Sequence, residues 1–423
     1  MAKYPPIRGK DMSERSVYKI VGGEEDVRGI AKRVAQITVS AIKQMPVLAS
    51  KVEGCISLGQ GIPSFATPPF IREAVIEALR QNDAIGKYSL QPGLPALKEA
   101  IARRFQQIKG IAVNPEKEVF ISCGAMEAIA AGIATIIERG DEVLIPSPNY
   151  SSHIEQVLFA EGIPVFVPLI EEAGWKLDIE GFRNAITKKT KAILVCNPMN
   201  PTGAVFSEKE LRALAEIALE RNLFVVADEA YDFLVYDGRP HFSLASVPEL
   251  KKNLLACYSF SKMYCMTGWR VGYMIASDRI IDQVLKVHDA FAICAPTISQ
   301  YAALAGLKAT NGKDGEGDKF VRELISALAL RREIACSRLD KLPHLFRYEK
   351  PKGAYYVFPR IRTPGSSSVD LSLKLLYEAK VITVPGSGFG PTGEGHIRLS
   401  FGATETEIEK AFDRIEEWGI QYK

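Results

Sequence analysis

Two serines, a lysine and an arginine stand close together in Ser259-Phe260-Ser261-Lys262-Met263-Tyr264-Cys265-Met266-Thr267-Gly268-Trp269-Arg270. An apolar run over residues 254–258 leads into them, and a second, from Val271, leads away. A lysine buried at a strand end loses solvation, so its amine gives up a proton more readily and can attack a carbonyl to form a Schiff base. Arg270 can grip a phosphate with its planar fork, with Ser259 and Ser261 adding hydroxyl donors. The same residues also suit a surface lysine and an arginine in an ordinary ion pair, so the rest of the chain has to supply or deny partners.

Ligands of open α/β sheets gather outside the carboxyl ends of the strands, which makes the residues after each apolar run informative. After 119–123 comes Gly124-Ala125-Met126, opening a helix whose free N–H groups and positive dipole end suit a phosphate; such starts are also common in any α/β fold. After 142–146, Tyr150 could stack on a flat ring or cap the core. After 192–196, Asn197-Pro198-Met199-Asn200-Pro201-Thr202-Gly203 forms a rigid turn from which Asn200 can donate to a phenolate oxygen. After 224–228, the Asp228 carboxylate is costly to bury unless it meets a cation such as a protonated pyridine nitrogen. Tyr231, three residues on, can donate to the ring oxygen opposite Asn200. A helix cap for Asp228 and a packed ring for Tyr231 are the alternatives. Arg398, in His396-Ile397-Arg398-Leu399-Ser400-Phe401, is flanked by apolar residues and needs a bidentate partner: a substrate carboxylate, or a neighbouring Asp or Glu.

An aldehyde that carries a phosphate is pyridoxal 5'-phosphate (PLP), and the Ser259 to Arg270 stretch resembles the cofactor-lysine motif of class I aminotransferases. The N-P-x-N-P-T-G string at 197–203 is that family's fingerprint, and the LGQGIPSFATPP run at 58–69 looks like its substrate loop. Tyr88, Gly93 and Leu97 match its Y-x-x-x-x-G-x-x-x-L segment. These matches run from Gly61 to Arg398 in the family's order, and the chain is identified as a member of the class I/II aminotransferases, PLP-dependent enzymes of fold type I.

That resemblance implies catalytic roles for Lys262, Asp228 and Tyr231. It implies a cofactor held by Gly124, Ala125, Met126, Tyr150, Asn200, Asp228, Tyr231, Ser259, Ser261, Lys262 and Arg270, and a substrate held by Gly61, Asn200 and Arg398, with no metal. It also implies a homodimer with shared active sites, in which Tyr88 reaches the neighbouring subunit's cofactor phosphate. The expected reaction moves the amino group of an L-amino acid (aspartate, aromatic or other neutral) to a 2-oxo acid such as 2-oxoglutarate by a ping-pong mechanism with Lys262 as general base. Met126 stands where some aspartate-selective relatives carry lysine, a lean towards apolar or aromatic amino acids. PLP lyases of the C–S lyase or cyclopropane-carboxylate synthase type share these cofactor residues and remain the alternative.

The elements expected to position these residues are short apolar strands alternating with helices, the pattern of an α/β, three-layer, mostly parallel seven-stranded sheet domain with a smaller α+β domain. At 423 residues the chain is long enough for both. The expected division is 1–75 as an N-terminal arm and part of the small domain, 76–309 as the large PLP-binding domain, and 310–423 as the small domain. Residues 1 to about 30 read as an extended arm and 28–49 as one helix ending near Pro46. Strands are expected at 354–358, 381–384 and 396–401, and a long helix at 320–339. A net charge of +3 over 53 basic and 50 acidic residues argues against nucleic-acid binding. The segment before Arg28 is too polar for the winged helix of an aminotransferase-like transcription regulator. Seven dispersed cysteines without a CxxC pair, and the lack of a signal peptide or membrane-length apolar run, lead to an expectation of a cytoplasmic protein with reduced thiols and no membrane partner.

Overall fold

A computed structural model of the protein describes residues 7–8, 29, 31–37, 41–312, 314–363 and 365–422. Most of the arm expected over residues 1 to 30 lies outside these. Seven strands form the central sheet in the order Ile163–Pro168, Glu142–Ser147, Thr190–Cys196, Phe224–Asp228, Leu254–Ser259, Gly272–Ala276, Val119–Ser122, and the two-residue strand Ile7–Arg8 adds antiparallel to its outer edge. The first five of the seven pair in parallel, whereas Gly272–Ala276 runs antiparallel to both neighbours. This is the mostly parallel sheet expected from the sequence.

Along Thr190–Cys196, Ile193 and Val195 enter one apolar core while Ala192 and Leu194 enter another. Successive strand side chains point to opposite faces, so an unbroken apolar run marks a strand covered on both sides. Helix Glu208–Glu220 closes the first core with Leu211 and Leu214, and Ala125–Ile136 closes the second with Ile129 and Ile133. A further core joins Leu58 and Tyr231 to helices Glu316–Asp340, Ser368–Tyr377 and Glu405–Gly419 and to the strands Tyr356–Val357 and Ile397–Ser400.

Four expected elements differ. Among the described residues the 28–49 helix is two helices, Lys32–Ala35 and Ala41–Ala49; residues 28, 30 and 38–40 are not among those described. The second runs through Pro46, where burial of Met45 and Ala49 against Leu376 and Ile382 offsets the missing proline donor. The 354–358 strand shortens to Tyr356–Val357 because Ala354, at φ 53°, donates its N–H to the Leu234 carbonyl instead. The 381–384 run splits: Val381–Ile382 pairs with Ile56–Ser57, and Val384–Pro385 with Ile397–Ser400. The long helix begins at Glu316, where the Asp318 carboxylate collects the N–H groups of Gly312 and Gly315 at 3.1 and 3.2 Å.

Candidate active site

Sheet register brings the motifs together. Cys196 pairs with Asp228 and Asp228 with Cys257, so the 197–203 turn, Asp228 and Ser259 leave three adjacent strands side by side. Ser122 and Ser259 both pair with Gly272, which places the Gly124 turn on the far flank of the same opening. A Cβ on Gly272 would stand 2.6 Å from both the Ala125 nitrogen and the Tyr258 oxygen, so this close approach requires glycine. One cavity of ≈ 260 Å³ is lined by Gly61, Ala125, Met126, Tyr150, Asn200, Asp228, Tyr231, Ser259, Ser261, Lys262, Arg270 and Arg398, together with Cys196, Ala230, Thr267 and Tyr356. Two of the residues singled out in the sequence stand apart. Gly124 (φ 83°) lies behind Arg270, where a Cβ would meet the guanidinium at 2.6 Å, and Tyr88 is 78% exposed and outside the cavity.

Lys262 sits on the four-residue helix Phe260–Met263, whose N-cap Ser259 accepts the Ser261 N–H at 3.1 Å. Burial, reinforced by the charges of Arg398 and Arg270, lowers its amine to about 8. Its Nζ donates to the Gly61 carbonyl at 2.6 Å. Arg270 adopts a left-handed backbone at φ 53°, ψ 59°, a conformation that costs a non-glycine residue roughly 1–3 kcal/mol and clusters at functional sites. Its fork is steered by the carbonyls of Thr267 (3.0 Å) and Cys123 (3.4 Å).

Asp228 is buried, accepts the Ala230 N–H at 3.0 Å and faces His153 Nε2 at 2.9 Å. His153 Nδ1 is 2.7 Å from Asn149 Oδ1, and the Asn149 Nδ2 has no partner among the described residues. Turning that amide gives Nδ2 to the imidazole and leaves His153 Nε2 as the donor to the carboxylate. Tyr231 is buried, and burial followed by the neighbouring Tyr355 and Tyr356 pushes its phenol well above the ordinary range, which keeps it a donor.

Arg398 is 1% exposed. It donates to the Gly59 carbonyl at 2.6 Å and to Asn200 Oδ1 at 3.0 Å, and its guanidinium lies 4.5 Å from the Tyr356 ring centre. No Asp or Glu pairs with it among the described residues, and its Nε has no partner. A buried guanidinium without a counter-anion is costly, and a carboxylate entering the cavity removes that cost. The Asn200 oxygen is committed to Arg398, so its Nδ2 is the group left to donate elsewhere.

The family model for aminotransferase class I and II matches residues 53–415. The chain belongs to that family. It is 37% identical to aromatic-amino-acid aminotransferase 2 of Thermococcus litoralis and 37% identical to aspartate aminotransferase of Pyrococcus abyssi, in each case over 92% of this chain and 97% of the relative. Among solved structures, the aromatic aminotransferase from Pyrococcus horikoshii aligns with a TM-score of 0.83 at 36% identity over 90% of this chain and 99% of that one. The Thermus thermophilus aspartate aminotransferase with maleate aligns at 0.86 and 33% identity over 92% and 99%. This aminotransferase, like its family, works with PLP.

The cavity's donor set fits that cofactor. Ser259, Ser261, Arg270 and the first N–H groups of helix Ala125–Ile136 offer donors for a phosphate at one end. Asp228, backed by His153, offers an anion for a pyridinium, Asn200 Nδ2 and the Tyr231 hydroxyl offer donors for a ring oxygen, and Lys262 offers the amine. The glycine at 124 keeps this cradle open.

Sequence reasoning did not reach His153, Asn149, Tyr355 or Tyr356. His153 stands one helical turn after Tyr150, a spacing that could have flagged it. The paired tyrosines of Gly353-Ala354-Tyr355-Tyr356-Val357 offered the other signal, two hydroxyls inside an apolar run.

Proposed function

We propose that this aminotransferase moves the amino group of an L-amino acid with an apolar, aromatic or aspartate side chain to a 2-oxo acid such as 2-oxoglutarate. The observation that carries the reading is the buried Arg398, unpaired by any carboxylate among the described residues and lining the same cavity as Lys262 and Asp228. The aromatic and aspartate activities named for its relatives support those substrate classes, and Met126 in the cavity wall favours an apolar or aromatic side chain. When bound, PLP supplies a carbonyl for the amine to condense with and a ring that withdraws electrons from the substrate's Cα. Asp228 holds the ring nitrogen's proton, the Ser259, Ser261 and Arg270 group anchors the phosphate, and Arg398 orients the α-carboxylate. Lys262, whose amine burial brings down to about 8 in the cofactor-free protein, takes the proton from Cα. One Arg398 holds one α-carboxylate at a time, so the amino acid leaves as its 2-oxo acid before the acceptor binds, and ping-pong kinetics follow.

The working unit in this reading is a cytoplasmic homodimer in which Tyr88 serves the neighbouring subunit's phosphate. Its support is the exposure of Tyr88, Leu90, Phe291 and Ile293, in segments tied together by the Gln91 to Leu285 and Thr297 to Lys87 hydrogen bonds. Each subunit is divided into a large domain over 76–309 and a small one over 310–423 joined by 1–75. Among the described residues no helix is long and apolar enough to cross a membrane.

The test is the visible absorption spectrum of the PLP-loaded protein after single amino acids are added without any oxo acid. A spectral change with one equivalent of the matching 2-oxo acid released supports transamination and identifies the donor. Release of ammonia or a thiol with an unchanged spectrum would overturn it in favour of a lyase.

A further inference from the structure

Tyr356 lies in the cavity wall with its hydroxyl 2.8 Å from that of Tyr231. Its ring forms the floor beneath the Arg398 guanidinium, and the hydroxyl abuts Gly61 so closely that a Cβ there would collide with it. Neighbouring Tyr355 spends its own hydrogen on the Gly61 carbonyl at 2.7 Å. Two phenols at 2.8 Å share one hydrogen, and each phenol has one to give. If Tyr231 aims its hydrogen at an acceptor in the cavity, the hydrogen between the two oxygens has to come from Tyr356.

We propose that Tyr356 is a positioning residue for Tyr231, donating its hydroxyl hydrogen to the Tyr231 oxygen and so turning the Tyr231 hydrogen into the cavity. The proposal rests on the reading of Tyr231 as donor to the cofactor's ring oxygen. In that chain each donor polarises the next, so Tyr356 strengthens a bond it does not itself make. Its ring has a separate task, holding the face of Arg398.

The experiment compares Tyr231→Phe, Tyr356→Phe and the double variant in the PLP-loaded enzyme, reading the pH midpoint of the visible absorption change beside KM and kcat. Loss of the Tyr231 donor leaves the ring oxygen more negative, so it holds the proton at Lys262 Nζ more firmly and the midpoint rises. Tyr356→Phe should raise it in the same direction by roughly a tenth to a third as much, the share by which one hydrogen bond strengthens the next. The double variant should match Tyr231→Phe alone. Because Phe keeps the ring under Arg398, KM for the amino acid should stay within about twofold while kcat falls; Tyr356→Leu, which removes the ring, should raise KM. A midpoint moved by Tyr231→Phe but not by Tyr356→Phe overturns the proposal and leaves the Tyr231 reading standing. A midpoint unmoved by Tyr231→Phe overturns that reading. A Tyr356→Phe shift that adds in full to that of Tyr231→Phe shows an independent route and overturns the proposal.

Discussion

In the proposed reaction Lys262 has to be reactive and buried at once, and the two demands meet in its protonation. Burial and the charges of Arg398 and Arg270 bring its amine from the ordinary 10.5 to about 8. Between those values the folded protein binds fewer protons at this residue than the unfolded chain, so the Lys262 contribution makes stability rise with pH from about 8 towards 10.5. Replacing it with methionine in the cofactor-free protein should therefore stabilise the fold at pH 7 and lose that advantage by pH 10.5. Urea midpoints of the two proteins across this range measure the difference, and a constant difference would mean that the amine is not perturbed. The buried tyrosines and cysteines contribute the opposite slope in both proteins, so the comparison isolates the lysine. Arg398→Lys keeps the charge but loses the fork. It should lower kcat/KM by roughly 10- to 150-fold, one charge-assisted hydrogen bond of about 1.5–3 kcal/mol, with the cofactor spectrum intact. An unchanged kcat/KM would place the substrate carboxylate elsewhere.

The strand that carries Arg398 is itself held across the molecule. Glu171, in the turn after Ile163–Pro168, pairs with Arg360 and lies 3.4 Å from His396, two residues before Arg398. Burial alone would raise its carboxyl, but the nearby His396 and the hydrogen bonds and charge of Arg360 overrule it and bring the value down to about 2. The stabilisation is therefore present above the ordinary 4.5 and is lost as pH falls from there towards 2. Glu171→Gln should lower the melting temperature at pH 7, with the gap closing below pH 4.5, and should raise KM for the amino acid more than it lowers kcat. A gap that stayed constant with pH would show that the ion pair is not its source. Such cross-chain ties are where the sequence became illegible. The sheet strands and the residues leaving their carboxyl ends could be read because an apolar run and the turn that follows it are local patterns. Tyr356 and His153 act through contacts with residues 125 and 75 positions away, which no local period encodes. The 381–384 run shows the same limit: its apolarity predicts a strand, but which half pairs with Ile56–Ser57 and which with Ile397–Ser400 is decided by the partners.

At the scale of the whole molecule, the proposed homodimer makes a prediction about the exposed Tyr88. Its segment is anchored, since Gln300 Nε2 donates to Ser89 Oγ at 2.9 Å and its Oε1 accepts the Leu94 N–H at 2.8 Å, yet Tyr88 itself is exposed and is not among the residues that line the cavity. Holding a large ring in solvent on a fixed loop makes sense where a second subunit covers it. If Tyr88 completes the neighbouring subunit's phosphate site, Tyr88→Ala should weaken PLP binding, and Lys262→Ala should abolish turnover. Mixing the two variants after dissociation would then build hybrids in which one site has both Lys262 from one chain and Tyr88 from the other. Random pairing makes half the dimers hybrid with one intact site in each, so about a quarter of the wild-type activity should return at a PLP concentration that saturates the wild type but not Tyr88→Ala. If Tyr88 instead serves its own chain, each hybrid site carries one of the two defects and mixing restores nothing.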